Sequence, residues 1–270
     1  LIMLTGAAPA EAQSPDAFLT TWEITEADES IFIPTAPDTD YDFTIDWGDG
    51  TTERIEGTDP NPEHTYAEPG TYTVAIEGTF PWLFLNAWGE DSILSGEGDL
   101  ENAQKLRSVE QWGTIQWQSM EEAFAGAKNL EVRATDTPDL SAVTSTVYMF
   151  REAESFNQDI GEWDVSNVTE MSGMFRRATS FNQDIGDWDV SNVTDMSSMF
   201  SNATSFNQDI GDWDVSNVTE MSGMFQGTNA FNQDIGGWDV SNVTDMSAMF
   251  RRTEVFNQNI EGWDVSNVTD

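Results

Sequence analysis

The feature that most constrains this chain is a repeat of 25 residues. The run Phe-Asn-Gln begins at Phe156, Phe181, Phe206, Phe231 and Phe256, and Trp-Asp-Val-Ser-Asn-Val-Thr follows each time from Trp163, Trp188, Trp213, Trp238 and Trp263. A unit this short cannot bury an apolar face alone and must stack on its neighbours, so the period predicts an elongated array with a continuous core. Within one unit, Trp188 and Val190 alternate with Asp189, as in a short extended segment with one face buried. Met196, Met199, Phe200 and Ala203 then fall at i, i+3, i+4 and i+7, the stripe of an amphipathic helix, with Thr194 placed to cap it. The expected class is therefore α/β: a solenoid of 25-residue units, each a short strand plus a short helix.

The Ile185, Trp188 and Val190 spacing is similar to the apolar core of leucine-rich repeats. The longer pattern from Phe181 to Phe200 resembles the BspA-like leucine-rich repeat of bacterial surface proteins. That resemblance implies surface adhesion or binding rather than catalysis. One departure is that Val193 stands at the position of the usual ladder asparagine, with Asn192 one residue earlier. Diverged copies precede the regular ones. One runs from Met120 to Phe150, and a weaker one from Leu106 to Trp117, as expected where the first coil must close the core. The repeats occupy 106–270, and the chain stops at Asp270 inside a unit, which reads as truncation.

Before the repeats the pattern changes to short alternating strands at Trp22–Ile24, Ile31–Ile33, Tyr41–Ile45 and Thr71–Ile76, separated by Pro, Gly and Asp turns. This is the signature of a β-sandwich. Ile45-Asp-Trp-Gly-Asp-Gly50, His64-Thr-Tyr66 and the strand after Pro69-Gly70 resemble, in that order, the PKD domain, an immunoglobulin-like spacer or binding module. The module is assigned to 14–79. Residues 80–105 form a junction and cap, in which the aromatic stretch from Phe80 to Trp88 seals the first coil and the acidic, Gly-rich stretch from Gly89 to Asn102 is an exposed loop. Residues 1–13 read as the remnant of a secretory signal peptide, apolar and then small around Ala10-Glu-Ala12.

The chain has 10 basic and 49 acidic residues, a net charge of −39, and no cysteine. Phosphate backbones and anionic membrane surfaces would be repelled, so nucleic acid is excluded as a partner, and no stretch is long enough to enter a membrane. Without thiols there is neither a disulfide framework nor a thiolate metal site. Asp184, Asp187 and Asp189, with Asp209, Asp212 and Asp214 one unit on, would recur in columns about 4.8 Å apart. Such columns need solvation, screening or a bridging cation, and calcium is the oxygen-seeking ion that suits them. His64, the sole histidine, reads as a packed residue beside Tyr66, and Asp46 and Asp49 as turn-forming side chains.

No nucleophile and base pair stands out, and the carboxylates repeat identically where an active site needs one asymmetric set, so no enzyme is expected. The units differ chiefly just after the apolar stripe, at Arg176-Arg177, Ser201-Asn202, Gln226-Gly227 and Arg251-Arg252. Arg176, Arg177, Asn202, Gln226, Arg251 and Arg252 are therefore the candidate contacts to a ligand, either an extracellular protein or a glycan. The reading is an exported, cell-surface bacterial protein that binds or adheres through its repeats. The alternatives are a cation-stabilised structural spacer or matrix component, and the non-catalytic arm of a larger secreted enzyme.

Overall fold

A computed structural model describes residues 14–85 and 97–270. The signal-peptide reading of 1–13 and the junction residues 86–96 lie outside the described residues. The element order is β1 (Phe18–Ile24), β2 (Glu29–Phe32), β3 (Asp40–Asp46), β4 (Thr52–Thr58), β5 (Glu63–Tyr66), β6 (Gly70–Thr79), α1 (Glu97–Lys105), β7 (Leu106–Gln111) and β8 (Glu131–Val132). The strands form a six-stranded sheet in the order β4-β3-β6-β1-β7-β8 and a two-stranded sheet β2-β5. All pairings are antiparallel except β7 with β8.

Alternation explains the strands of the N-terminal module. In β1 the buried residues are Phe18, Thr20, Trp22 and Ile24, and in β3 Tyr41, Phe43 and Ile45. The hairpin between β3 and β4 turns through Gly48, at φ +81°, where a Cβ would lie 2.4 Å from the Thr73 carbonyl oxygen. Glycine is required there because any side chain meets backbone that cannot move aside. Asp46 accepts from the Gly48 N–H and Asp49 from the Thr51 N–H, so both are the turn formers expected.

Two boundaries differ from the sequence reading. The stretch expected to be a loop up to Asn102 is helical from Glu97, and Asn102 is buried, bonding both the N–H and the carbonyl of Phe32. The weak first repeat, Leu106–Gln111, is β7, and it pairs with β1 of the N-terminal module. The two regions thus share one sheet, and one continuous buried cluster runs from Phe18 to Met249.

The α/β solenoid expected for the repeats is overturned. Among the described residues α1 is the single α-helix, and the repeats hold no helix at all. Met196, Met199, Phe200 and Ala203 are buried as the stripe predicts, but the backbone under them is a chain of tight turns. Met199 N–H bonds the Met196 carbonyl, Ser201 that of Ser198, and Ala203 that of Phe200. Ser198 and Asn202 have φ of +57° and +60°, which breaks any helix. The alternate N–H groups point along the stack: Met196 to Glu220, Ser198 to Ser222, Phe200 to Met224 and Asn202 to Gln226, at 2.7–3.0 Å. The short strand expected around Trp188 is likewise reduced to isolated parallel bridges elsewhere in the unit, linking Glu170, Asp195, Glu220 and Asp245.

Side chains complete the joint between coils. The N–H of Asn207 bonds Oδ1 of Asn182 at 2.8 Å, and Asn232 and Asn257 repeat the contact. Asn192, Asn217 and Asn242 donate to seryl carbonyls of the preceding coil. Asparagine ladders therefore exist, at two positions, neither of them the one held by Val193. Two files of phenylalanine run through the core, Phe150–Phe175–Phe200–Phe225–Phe250 and Phe156–Phe181–Phe206–Phe231–Phe256, stacked at 5.7–6.0 Å between coils.

Candidate functional site

The repeat surface carries two kinds of column. The first is acidic. Asp184 and Asp209 each turn back to accept the N–H two residues on, from Gly186 and Gly211 at 3.0 Å. Asp189 and Asp214 do the same for Ser191 and Ser216. Asp187 and Asp212 are exposed at the turn between. The first job of Asp184, Asp189, Asp209 and Asp214 is local: each closes a turn through one carboxylate oxygen. In Asp164, Asp214, Asp239 and Asp264 the hydroxyl of the serine two residues on, and then its N–H, hold the carboxyl below the ordinary range. Asp184, Asp187 and Asp189 share an open recess with Asp159, Glu162 and Asp164. Among the described residues no three acidic or histidine side chains converge in a way that would hold a metal ion.

The second column is the edge after the apolar stripe, and here the sequence-chosen residues do come together. Glu152, Arg177, Asn202, Gly227 and Arg252 occupy equivalent places, all with φ between +60° and +69°. The first four are tied to the next coil by their N–H groups, which donate to the carbonyls of Arg176, Ser201, Gln226 and Arg251 in turn, at 2.7–2.9 Å. Arg176, Arg177, Gln226, Arg251 and Arg252 thus line one edge beside Asn202. Arg177, Arg251 and Arg252 are exposed, and Arg176 and Gln226 are half-buried.

Two members of this edge were not singled out in the sequence. Glu152 accepts from Arg177 at 2.9 Å and from Arg151 at 3.3 Å, and Arg151 lies over the Tyr148 ring. Their signal was positional, since Arg151-Glu152 falls in the diverged copy where Arg176-Arg177 falls in the next. With Arg151 counted, five of the ten cationic side chains in a chain of net charge −39 lie on this one edge.

The tryptophan files offer no platform for a sugar. Trp163, Trp188, Trp213 and Trp238 are 4–5% exposed. In the N-terminal module His64 stacks on Trp47, meets Tyr66 edge-on and bonds Asp49 at 2.8 Å. It is packed beside Tyr66 as expected, and its carboxylate partner is the turn former Asp49. No helix among the described residues is long and apolar enough to cross a membrane.

Comparison with known families decides the affiliation. The family described as "Mycoplasma protein of unknown function, DUF285" matches residues 97–203 and 183–270, together well over half of the chain. The chain belongs to this family. The PKD domain matches residues 17–79, ahead of the DUF285 region. DUF285, and not the BspA-like leucine-rich repeat that the sequence resembles, is thus the family matched by these repeats. No curated protein and no solved structure matches the chain. A PKD domain joined to a DUF285 region is consistent with an extracellular surface protein.

Proposed function

We propose that this DUF285 protein is exported to the bacterial cell surface and adheres to an extracellular protein or glycan through the edge formed by Arg176-Arg177, Ser201-Asn202, Gln226-Gly227 and Arg251-Arg252. One observation carries the reading. The coils repeat one another around most of their surface, and the positions that differ most in charge and size between units lie side by side on this edge, held by coil-to-coil hydrogen bonds. Sequence variety on a rigid scaffold is the pattern of a recognition surface. The acidic columns serve solubility and exclude polyanions from the rest of the surface. The reading is of a binding protein without catalysis, because the same carboxylates recur in coil after coil and no coil holds a unique constellation.

The test is binding of residues 14–270 to a panel of extracellular-matrix proteins and polysaccharides, compared with the variant R176S/R177N/R251S/R252N. Serine and asparagine already occupy these places in the coil of Ser201 and Asn202, so the fold tolerates them. The expected result is an affinity at least about tenfold lower with an unchanged melting temperature. Equal binding by both proteins would move the contact surface elsewhere.

A further inference from the structure

We infer that the PKD module has a second role as the N-terminal cap of the DUF285 array, standing in for a coil that would otherwise precede the first one. In the regular coils the joint includes main-chain contacts of two opposite senses. The Thr169 N–H donates back to the Thr144 carbonyl, and the Tyr148 N–H donates forward to the Ser172 carbonyl. Phe124 stacks on Phe150 as Phe150 does on Phe175, which aligns the first coil with the second at a step of 26 residues. At that step Gln118 corresponds to Thr144, and Glu121 to Val147, itself equivalent to Ser172.

Both positions are satisfied by the segment that leaves the module, itself tied back to it by the Phe84 N–H bond to the Pro34 carbonyl. The Gln118 N–H donates to the Pro81 carbonyl at 2.9 Å, and the Glu121 carbonyl accepts the Trp82 indole N–H at 2.8 Å. Pro81 and Trp82 therefore supply one acceptor and one donor of the kinds that the coils from Thr169 onward receive from their predecessors. The apolar side is closed in the same way. Phe80 sits 5.0 Å from Phe43 in the module and 6.0 Å from Trp117 in the first coil, and Phe18 packs edge-on against Trp117 at 5.1 Å. β7 then joins β1 through Thr20 with Val109 and Trp22 with Leu106. A stacked array needs its terminal face covered, since an open coil leaves apolar rings and unpaired peptide groups in water.

A cap fixes the module to the array, whereas a spacer leaves the two independent. Native-state hydrogen exchange on residues 14–270 separates the cases, with two variants that keep an apolar side chain at each site. Trp82→Phe removes the indole donor, and Phe43→Leu loosens the module core away from the joint. Under the cap, both variants lower protection at Glu122 and Phe124 N–H about tenfold or more, while Phe200 N–H, three coils on, changes less. A collapse of the whole array on Phe43→Leu supports the same reading. Loss of protection confined to β1–β6, with the Glu122 and Phe124 amides unchanged, would overturn it.

Discussion

The indole N–H of Trp188 donates to the carbonyl of Ile160, 3.1 Å away and 28 residues earlier in the chain. Trp213, Trp238 and Trp263 repeat the bond to Ile185, Ile210 and Ile235. Each tryptophan thus fills the core and ties its coil to the one before.

Trp213→Phe removes one of the two fused rings and one of the two donors to the Ile185 carbonyl, which keeps the Trp188 N–H. The lost hydrogen bond costs about 0.5–1.5 kcal/mol, and the lost ring adds a small cavity. Urea denaturation is expected to show a lower midpoint for this variant. Trp263→Phe, in a coil where the same ring is only half-buried, is expected to shift the midpoint less.

Gly173 and Gly223 are equivalent, at φ of +61° and +62°, yet they are not equally replaceable. A Cβ on Gly173 would lie 2.2 Å from the Tyr148 ring, whereas on Gly223 its nearest neighbour is the Ser198 hydroxyl at 3.3 Å. Ala248 already occupies the same place at φ +57°. Gly223→Ala is expected to cost about 1 kcal/mol from backbone strain. Gly173→Ala is expected to cost more, with the excess removed in a Tyr148→Ala background, as a double-mutant cycle by chemical denaturation would show.

The Asp49–His64 pair makes the module sensitive to acid. Burial pushes the Asp49 carboxyl up, but the His64 bond, then the Thr51 N–H and hydroxyl, outweigh it and leave the group below its ordinary value. A depressed carboxylate stabilises the fold above its unfolded value, near 3.8, and the benefit is lost as pH falls through the lower folded value. The melting temperature is expected to drop below about pH 4 in the wild type, and less steeply in Asp49→Asn. An identical slope in the two proteins would remove Asp49 from the acid response.

Calcium and magnesium at matched ionic strength are expected to raise the melting temperature equally. The Asp184, Asp187 and Asp189 carboxylates share a recess without converging, and two of them are already bound to local N–H groups. Divalent ions then act by screening the net negative charge. A rise specific to calcium, abolished by chelator, would show that the acidic columns bind it.

Much of this was readable before the fold was known. The 25-residue step fixed which residues are equivalent, and the alternation of Trp188, Asp189 and Val190 correctly placed the aspartate outside. The helix was misread because a chain of three-residue turns buries i, i+3, i+4 and i+7 just as a helix does. The discriminating signal was Gly173 and Gly223 in the middle of the stripe, each about 1 kcal/mol unfavourable in a helix and at ease at positive φ. β4 was invisible because Thr52–Thr58 is an exposed edge strand with only Ile55 partly buried, so no alternation marks it. β7 was read as a faint repeat because the partner that makes it a strand, β1, lies more than eighty residues away. On the candidate edge, the variable pairs were legible from unit-to-unit comparison, but Arg151 and Glu152 needed the alignment of coils in space.

The one-way hydrogen bonds of the turn band give the array a polarity that its near-identical repeats conceal. In each regular coil four peptide N–H groups face away from the N-terminal module and four carbonyls face toward it. Peptide units of about 3.5 D aligned in this sense add along the stack, as they do in a helix. The N–H groups that run the other way, from the threonine, the asparagine and in several coils the acidic residue after the threonine, are fewer. The array is therefore a rod with unlike poles: two copies meeting head to tail match donor with acceptor, and two meeting head to head oppose like partial charges.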